Sequence, residues 1–588
     1  MFMNKQKGDV INILAVKQGL NQREIVEYTG HSLGIVNRSV NSLLEDGYIE
    51  SDMILSPKGR SFMEEHKVKS AIILAAGFGM RMVPINTEVS KGLLEVYGEP
   101  LVERHIKHLH EAGITDITIV VGFLKEQYEY LIDKYGVRLL VNPEYKEKNN
   151  LSSVYRAMKY IGNSYIIPCD IWCKENPFHK YESYSWYMVS ENVTKSDVRI
   201  NRKGELVKPE KEELGNQMIG ISYISHEDVI DFSEKCKKLY QDHSYDHSFW
   251  EEILYEDRKM IFPARMVSKD FAVEINTYEQ LRELDEKSDQ LKSDAIEIIE
   301  EALSVAADEI EKITVLKKGM TNRSFMFTCK GKRYIMRIPG EGTSELINRK
   351  EEAKVYNLIN GENICDEIVY INPLNGYKIT EYIPDARTCD AQSVNDLTVC
   401  MRKLKEFHAR GFKVEHEFDM FGQMIHYESL WKEPSVYRDY EQTKKNVLSL
   451  REYIDSFEKD YVLTHIDANE DNFLFYHDES GNEQVRLIDW EYAGMQDPHV
   501  DIAMFCIYSM YERKDIDRLI DIYFEGKCAK KIRYKIYAYI AICGMLWSNW
   551  CEYKRQLGVE FGEYSLKQYR YAKDYYRILV AENEVQNA

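Results

Sequence analysis

Two short polar loops, set in a fixed order, constrain this chain more than any other feature of it. The first reads His465-Ile-Asp467-Ala-Asn-Glu-Asp-Asn472-Phe-Leu474, and the second reads Leu487-Ile-Asp489-Trp-Glu491-Tyr492. Asp489 closes a short apolar run of strand type. The pattern upstream agrees with a domain in two parts. Strands are expected first, at 313–316, 324–329 and 333–338. A long helical region follows, and residues 529–580 are almost wholly helical in period and rich in tyrosine. Residues 313–588 should therefore form a small strand-rich lobe followed by a large helical one.

The two loops resemble the catalytic and metal loops of kinase-like phosphotransferases, and the chemistry explains their spacing. The resemblance implies that Asp467 accepts the proton of an attacking hydroxyl. Asn472 and Asp489 would hold Mg2+ on the phosphates of ATP. His465 reads as a loop brace and Asp501 as a carboxylate that steadies the catalytic loop. Upstream, Gly319-Met-Thr321-Asn322-Arg323 resembles the phosphate-covering turn of choline and aminoglycoside kinases. Arg337, before Ile-Pro-Gly340, stands where protein kinases place lysine and is similar to the choline-kinase branch. Glu352 is its expected helix partner, with Glu351 as the alternative. Glu381-Tyr-Ile383 reads as the hinge that contacts adenine. Trp547-Ser-Asn-Trp550 puts two indoles on one helix face. Choline kinases carry a similar W-x-x-W, which implies a choline pocket here, with Glu491 and Tyr492 adding charge and a ring.

Residues 69–290 begin with a buried strand and then alternate strand and helix, which argues for a parallel sheet with helices on both faces. Leu74-Ala75-Ala76-Gly77-Phe-Gly79-Met-Arg81-Met82 follows the first strand. Its glycines let backbone N–H groups approach a phosphate chain, and Arg81 adds charge-assisted bonds. The run continues through Pro84, Thr87, Lys91-Gly-Leu-Leu, Gly98 and Pro100-Leu101. The whole resembles sugar-nucleotide and phosphocholine nucleotidyltransferases. Ser90 replaces the usual proline, which should loosen that turn. The resemblance implies in-line attack of an acceptor phosphate on the α-phosphorus of an NTP. Lys91 and Arg81 would hold phosphates, and a divalent metal would bridge them. Asp170 matches the metal-binding aspartate and Asn276 the second ligand, with Glu274 in reserve. Asn149-Asn150-Leu-Ser152-Ser153 matches the contacts to nucleotide and acceptor, the double Asn resembling the phosphocholine cytidylyltransferase branch. A quaternary ammonium needs an aromatic cage, for which Trp172, Trp186, Tyr187 and Trp250 are candidates.

Residues 1–67 read as three helices and a short hairpin. Asn21-Gln-Arg-Glu24 fits a capping box, and Ser32 can cap the helix that carries Leu33, Val36, Val40 and Leu44. This resembles a winged helix-turn-helix, and DNA contact would fall to Ser32, Asn37, Arg38 and Asn41. Residues 1–68 hold 8 Lys+Arg against 9 Asp+Glu, too few cations for strong phosphate neutralisation. Self-association or docking stays open beside DNA.

The full chain of 588 residues carries a net charge of −20. Such an acidic chain is poorly suited to wrapping nucleic acid or lying on anionic lipid. Its eleven cysteines show no C-x-x-C pair and read as reduced thiols. The longest apolar run, 536–547, falls short of the roughly 20 residues that span a bilayer. The start of the chain lacks the pattern of a signal peptide. A cytoplasmic protein with no membrane partner is expected.

The expected fold class is α/β multidomain: a winged helix (1–67), a Rossmann-like nucleotidyltransferase sheet (69–290), a helical connector (291–312) and a bilobal kinase-like α+β domain (313–588). Together the resemblances imply a bifunctional transferase. With ATP it would phosphorylate choline, and with CTP it would convert phosphocholine to CDP-choline, both steps with Mg2+. Ethanolamine or another amino alcohol is the nearest alternative. An aminoglycoside-type kinase fused to a sugar nucleotidyltransferase, and a choline-sensing regulator built from enzyme-like domains, are the others.

Overall fold

The structure is a computed structural model and describes residues 3–77, 82, 84–85, 89–201, 204–210, 213–316, 322–340, 346–478, 480–557, 559 and 561–582. The chain divides into two compact units, Met1–Glu297 and Ile298–Ala588.

In the first unit, helices Lys5–Val16, Gln22–Thr29, Leu33–Glu45 and Pro57–Glu65 enclose a small core of Val10, Leu14, Ile25, Val36 and Val40. The capping box at Asn21 is present in full. Ser32 occupies the N-cap of the third helix, but its side chain makes no capping bond. The first helix docks on the transferase sheet. Lys5 Nζ donates to the carbonyl of Ala264 at 2.5 Å, the hydroxyl of Tyr184 donates to Asp9, and Ser183 N donates to Asn12 Oδ1 at 3.2 Å. Gly8 makes this approach possible, because a Cβ there would lie 2.4 Å from the ring of Tyr184. The opposite side, with Ser32, Asn37, Arg38 and Asn41, is exposed.

Among the described residues, seven strands form the transferase sheet, in the order Ala264–Val267, Trp186–Thr194, Gly215–Ile224, Ser164–Pro168, Ser70–Ala75, Asp116–Val121 and Arg138–Val141. The last four are mutually parallel, as alternation with helices predicts. Gly215–Ile224 runs antiparallel to both its neighbours, so the sheet is mixed rather than wholly parallel. The sheet is hydrophobic on both faces, which is why residues 71–75 read as an unbroken apolar run. Between Asp116–Val121 and Arg138–Val141 the chain forms a 3-10 turn, Lys125–Tyr128, and a short α-helix, Tyr130–Tyr135.

In the second unit, an antiparallel sheet of five strands among the described residues runs Ile310–Val315, Asn322–Cys329, Lys332–Pro339, Lys378–Glu381, Ile368–Ile371. Helix Arg349–Ile359 belongs to the same lobe. The helical lobe is built around Lys530–Gln556, whose residues from Tyr534 to Lys554 are buried on every side. A helix apolar all round belongs in a core. Among the described residues, no helix is long and apolar enough to cross a membrane.

Candidate active sites

The transferase cavity, of about 700 Å3, opens at the carboxyl ends of the parallel strands. Period-two alternation sends Leu74 and Ala76 to the cavity, with Gly77 beyond them. Ala75, also expected to contact nucleotide, points its side chain the other way and is packed in the core. Gly79 and Arg81 lie outside the described residues. Lys91 opens a 3-10 turn, Lys91–Leu93. The turn is tied down rather than loosened by Ser90, whose N–H donates to Gln127 Oε1 at 2.9 Å and whose hydroxyl meets Tyr128 OH at 2.6 Å. Proline could make neither bond. Gly92 permits the close approach, since a Cβ there would lie 2.7 Å from Tyr128 OH.

Asp170 and Asn276 are 106 residues apart in the chain. They meet because strand Ala272–Glu274 pairs antiparallel with Ile171–Cys173. Both side chains converge on the ammonium of Lys91, which donates to Asp170 and, at 2.7 Å, to Asn276 Oδ1. Burial works against this ammonium, but the Asp170 carboxylate outweighs it and raises the lysine above its ordinary pKa. The two side chains offer oxygen donors of the type a divalent metal takes, and Glu274 lines the same cavity. Such a metal would supply charge neutralisation on the phosphates when bound.

Asn150 lines the cavity, and its Oδ1 accepts the N–H of Trp250 at 2.8 Å. Ser152 does not reach it: the hydroxyl donates to Asn149 O at 2.8 Å and accepts from Asn142 Nδ2 at 2.9 Å. Trp186 and Trp250 are wholly buried core residues, and Trp172 lies under Arg104, so none of the three walls the cavity. Tyr187 does line it, and its hydroxyl donates to Glu251 Oε1 at 3.1 Å. Sequence reasoning missed Glu251. Its Oε2 is buried without a hydrogen-bond partner among the described residues, and burial pushes its carboxyl up to about 7. The neighbouring Trp250 and the Asn149-Asn150 pair were the available signal.

The kinase cavity, of about 390 Å3, lies between the sheet and the helical lobe of the second unit. Asp467 accepts from Asn469 Nδ2 at 3.0 Å and from Asn472 Nδ2 at 3.2 Å. Burial, then the nearby Asp489 and Glu491, push its carboxyl up to about 8. Asp489 sits in the left-handed region at φ +64, a strained conformation of the kind that functional loops hold. Asp467, Asn472 and Asp489 thus bring carboxylate and amide oxygens to one cavity, the hard donor type that a divalent metal takes. His465 braces the two loops, with Ile488 O accepting from its Nε2 at 2.8 Å. Asp501 accepts the backbone N–H of His465 at 3.0 Å and of Ile466 at 2.7 Å. His408, which the sequence did not single out, holds Asp501 from behind at 3.0 Å.

Arg337 pairs with Glu352 at 2.5 Å, and its Nε is buried without a hydrogen-bond partner among the described residues. Thr321 lies outside the described residues, and of Asn322 only the backbone, in strand Asn322–Cys329, is described. Glu381 turns to Lys332 at 3.3 Å, and neither it nor Ile383 lines the cavity, whereas Thr380 and Lys378 do. At the other end, the rings of Trp547 and Trp550 stand 5.5 Å apart at 87°, and Tyr492 meets Trp547 at 5.7 Å and 90°. Perpendicular rings make adjoining walls of a box. Tyr508 and Tyr564, not singled out from the sequence, add to its lining. Glu491 lines the same end but lies 3.8 Å from Arg337 and 3.5 Å from Arg349.

Known proteins match these segments in order. Residues 3–50 match a winged helix-turn-helix DNA-binding family, residues 71–177 the MobA-like NTP transferase domain, and residues 313–522 the choline/ethanolamine kinase family. The chain is 45% identical over 117 residues to a choline-phosphate cytidylyltransferase of Streptococcus pneumoniae, 20% of this chain and 51% of that one, so the match spans about half the relative's length. It is 34% identical over 193 residues to a 2-aminoethylphosphonate cytidylyltransferase of Lancefieldella rimae, 32% of this chain and 78% of that one. Over 267 residues it is 26% identical to protein LicA of Haemophilus influenzae, 42% of this chain and 96% of that one. The chain is thus an enzyme that belongs to the cytidylyltransferase family of MobA-like NTP transferases and carries a choline-kinase-like domain, with a winged helix at its front.

Proposed function

We propose that this enzyme makes CDP-choline in two steps. The second unit phosphorylates choline with ATP, and the first unit transfers a cytidylyl group from CTP to the phosphocholine, releasing pyrophosphate. The observation that carries the reading is the aromatic box of Tyr492, Trp547 and Trp550 in the same cavity as Asp467. Choline's quaternary ammonium has no N–H, so ring faces suit it better than hydrogen-bond acceptors. Its hydroxyl would lie against Asp467, which takes the proton as the oxygen attacks the γ-phosphate. Asn472 and Asp489 would hold Mg2+, and Arg337 would steady the phosphates. In the first unit Asp170 and Asn276 would hold Mg2+, while Lys91 and Arg81 neutralise the α-phosphate. Glu251 and Tyr187 would face the acceptor's cationic end.

The domain limits given by the sequence, 1–67, 69–290, 291–312 and 313–588, belong to this reading, as does a cytoplasmic setting. The winged helix keeps its recognition face exposed, and DNA or a second copy of the chain is its proposed partner. A second acceptor class has a specific observation behind it. One relative is named for 2-aminoethylphosphonate, whose primary ammonium would suit Glu251 directly. Incubation with choline, ATP, CTP and Mg2+, followed by mass identification, should give phosphocholine and then CDP-choline. Parallel reactions with ethanolamine and 2-aminoethylphosphonate should be slower. Faster turnover of either, or no phosphocholine, would remove choline from the assignment.

A further inference from the structure

Behind two residues of the kinase cavity, Arg337 and Glu491, stands an arginine that neither loop accounts for. Arg349 opens the helix Arg349–Ile359, and its side chain is 5% exposed. Its Nη1 lies 3.0 Å from Glu352 Oε2 and 3.5 Å from Glu491 Oε2. Arg337 makes the matching contacts, 2.5 Å to Glu352 Oε1 and 3.8 Å to Glu491 Oε2. Two guanidinium groups and two carboxylates thus close a buried ring of alternating charge. Gly376 holds the ring in register. Its carbonyl accepts from Arg337 Nη2 at 3.0 Å, and at φ +75 its bare Cα lets Arg349 pass, where a Cβ would lie 2.7 Å from Arg349 Cδ.

The two ends of this ring face different ligands. Arg337 lies 3.7 Å from Asp489, on the phosphate side. Glu491 lines the same cavity as Tyr492, Trp547 and Trp550, and it precedes Tyr492 in the chain. A phosphate drawn to Arg337 loosens its hold on Glu491 and leaves that carboxylate more available to a cation. A cation drawn to Glu491 likewise releases Arg337 toward phosphate. Each exchange removes a buried charge from one partner only if another counter-charge remains, because an unpaired buried carboxylate is costly. Arg349 is that remaining counter-charge for both glutamates.

We propose that Arg349 is a positioning residue that, through this ring, makes the binding of nucleotide phosphates and of the ammonium acceptor mutually reinforcing. This rests on the reading of the acceptor as choline. Binding linkage is reciprocal, so each ligand must tighten the other by the same factor. Calorimetric titration of choline into the full chain, with and without Mg2+ and a non-hydrolysable ATP analogue, measures that factor. The analogue should tighten choline about 5-fold or more, and the reverse titration should return the same number. Arg349→Met should bring the factor to within about twofold of unity while choline alone still binds. Arg349→Lys, which keeps the charge without the planar fork, should recover part of it. A wild-type factor near unity overturns the proposal, and so does an Arg349→Met protein with the wild-type factor. If Arg349→Met does not fold, the wild-type factor and Arg349→Lys decide. Choline that fails to bind the wild type, with or without the analogue, sinks the acceptor reading itself and the coupling with it.

Discussion

In the transferase cavity the carboxylate of Asp170 meets the ammonium of Lys91, a cation supplied by the chain itself. In the kinase cavity Asp467 is bonded to the amides of Asn469 and Asn472, and its near charges are the carboxylates of Asp489 and Glu491. Lys91 therefore has its counter-charge before any ligand arrives. In the second cavity, Arg337 stands 3.7 Å from Asp489 and 3.8 Å from Glu491, while burial together with like-charge repulsion pushes Asp467 up to about 8. The anionic partner placed by the fold, Asp170, keeps the Lys91 ammonium charged and aimed. Crowded carboxylates instead make Asp467 hold its proton more tightly. The two units thus hold a cavity aspartate in opposite surroundings, one against a lysine and the other among carboxylates.

The largest effects should come from breaking each site separately. Asp467→Asn should lower ATP-dependent choline phosphorylation by at least about 100-fold, the lower end for a lost general base, while transfer to supplied phosphocholine is unchanged. Lys91→Met should do the reverse, by about 100-fold or more, as for a lost charge-stabilising donor. Assaying both activities in both variants checks the comparison. A variant that loses both activities while keeping its thermal unfolding temperature contradicts two independent sites.

An intermediate effect should follow from the aromatic box. Trp550→Ala should raise the KM for choline about 10-fold, the order expected for a partly desolvated cation–π wall, and leave the KM for ATP within about twofold. Equal changes in both would place Trp550 in the packing rather than in the pocket.

The smallest effect concerns pH in the transferase cavity. Glu251, with its carboxyl raised to about 7, attracts a cation only when ionised. The KM for phosphocholine should therefore fall a few-fold between about pH 6 and 8, and Glu251→Gln should flatten that profile. The sign for stability is opposite. The folded value exceeds the unfolded one of roughly 4.3, so the contribution present below that value is lost as pH rises through 7. A profile that survives in Glu251→Gln would assign the pH dependence to another group.

Much of the second unit's site was legible because its parts are local. Asp467 and Asn472 share one loop, Asp489 lies two residues beyond strand Glu483–Leu487, and Trp547 and Trp550 share one helical turn. Spacing within a loop or a helix turn fixes which side chains meet. The same holds for the capping box at Asn21 and for the run of apolar residues in Ser70–Ala75. Legibility failed where a contact spans long stretches of chain. Glu251, about 100 residues beyond Asn150, enters the cavity because Asn150 takes the N–H of Trp250. The aromatic residues proposed around it were mostly core, since a period-two strand gives no sign of which face a neighbouring sheet or helix will cover.

The sequence by itself determined the order of the three modules, the strand or helix character of their main elements, and the residue types that can carry phosphoryl and nucleotidyl transfer. Those follow from short-range rules: periodicity, capping, and loop spacing. Only the tertiary structure decided that Gly215–Ile224 runs against its neighbours and that Ser90 anchors the Lys91 turn. It also decided that the first helix of the winged segment is seated on the transferase sheet through Gly8 and Tyr184, and that Arg349 closes a ring with Glu491. These depend on where distant elements come to rest, and packing of whole faces, not local pattern, sets that.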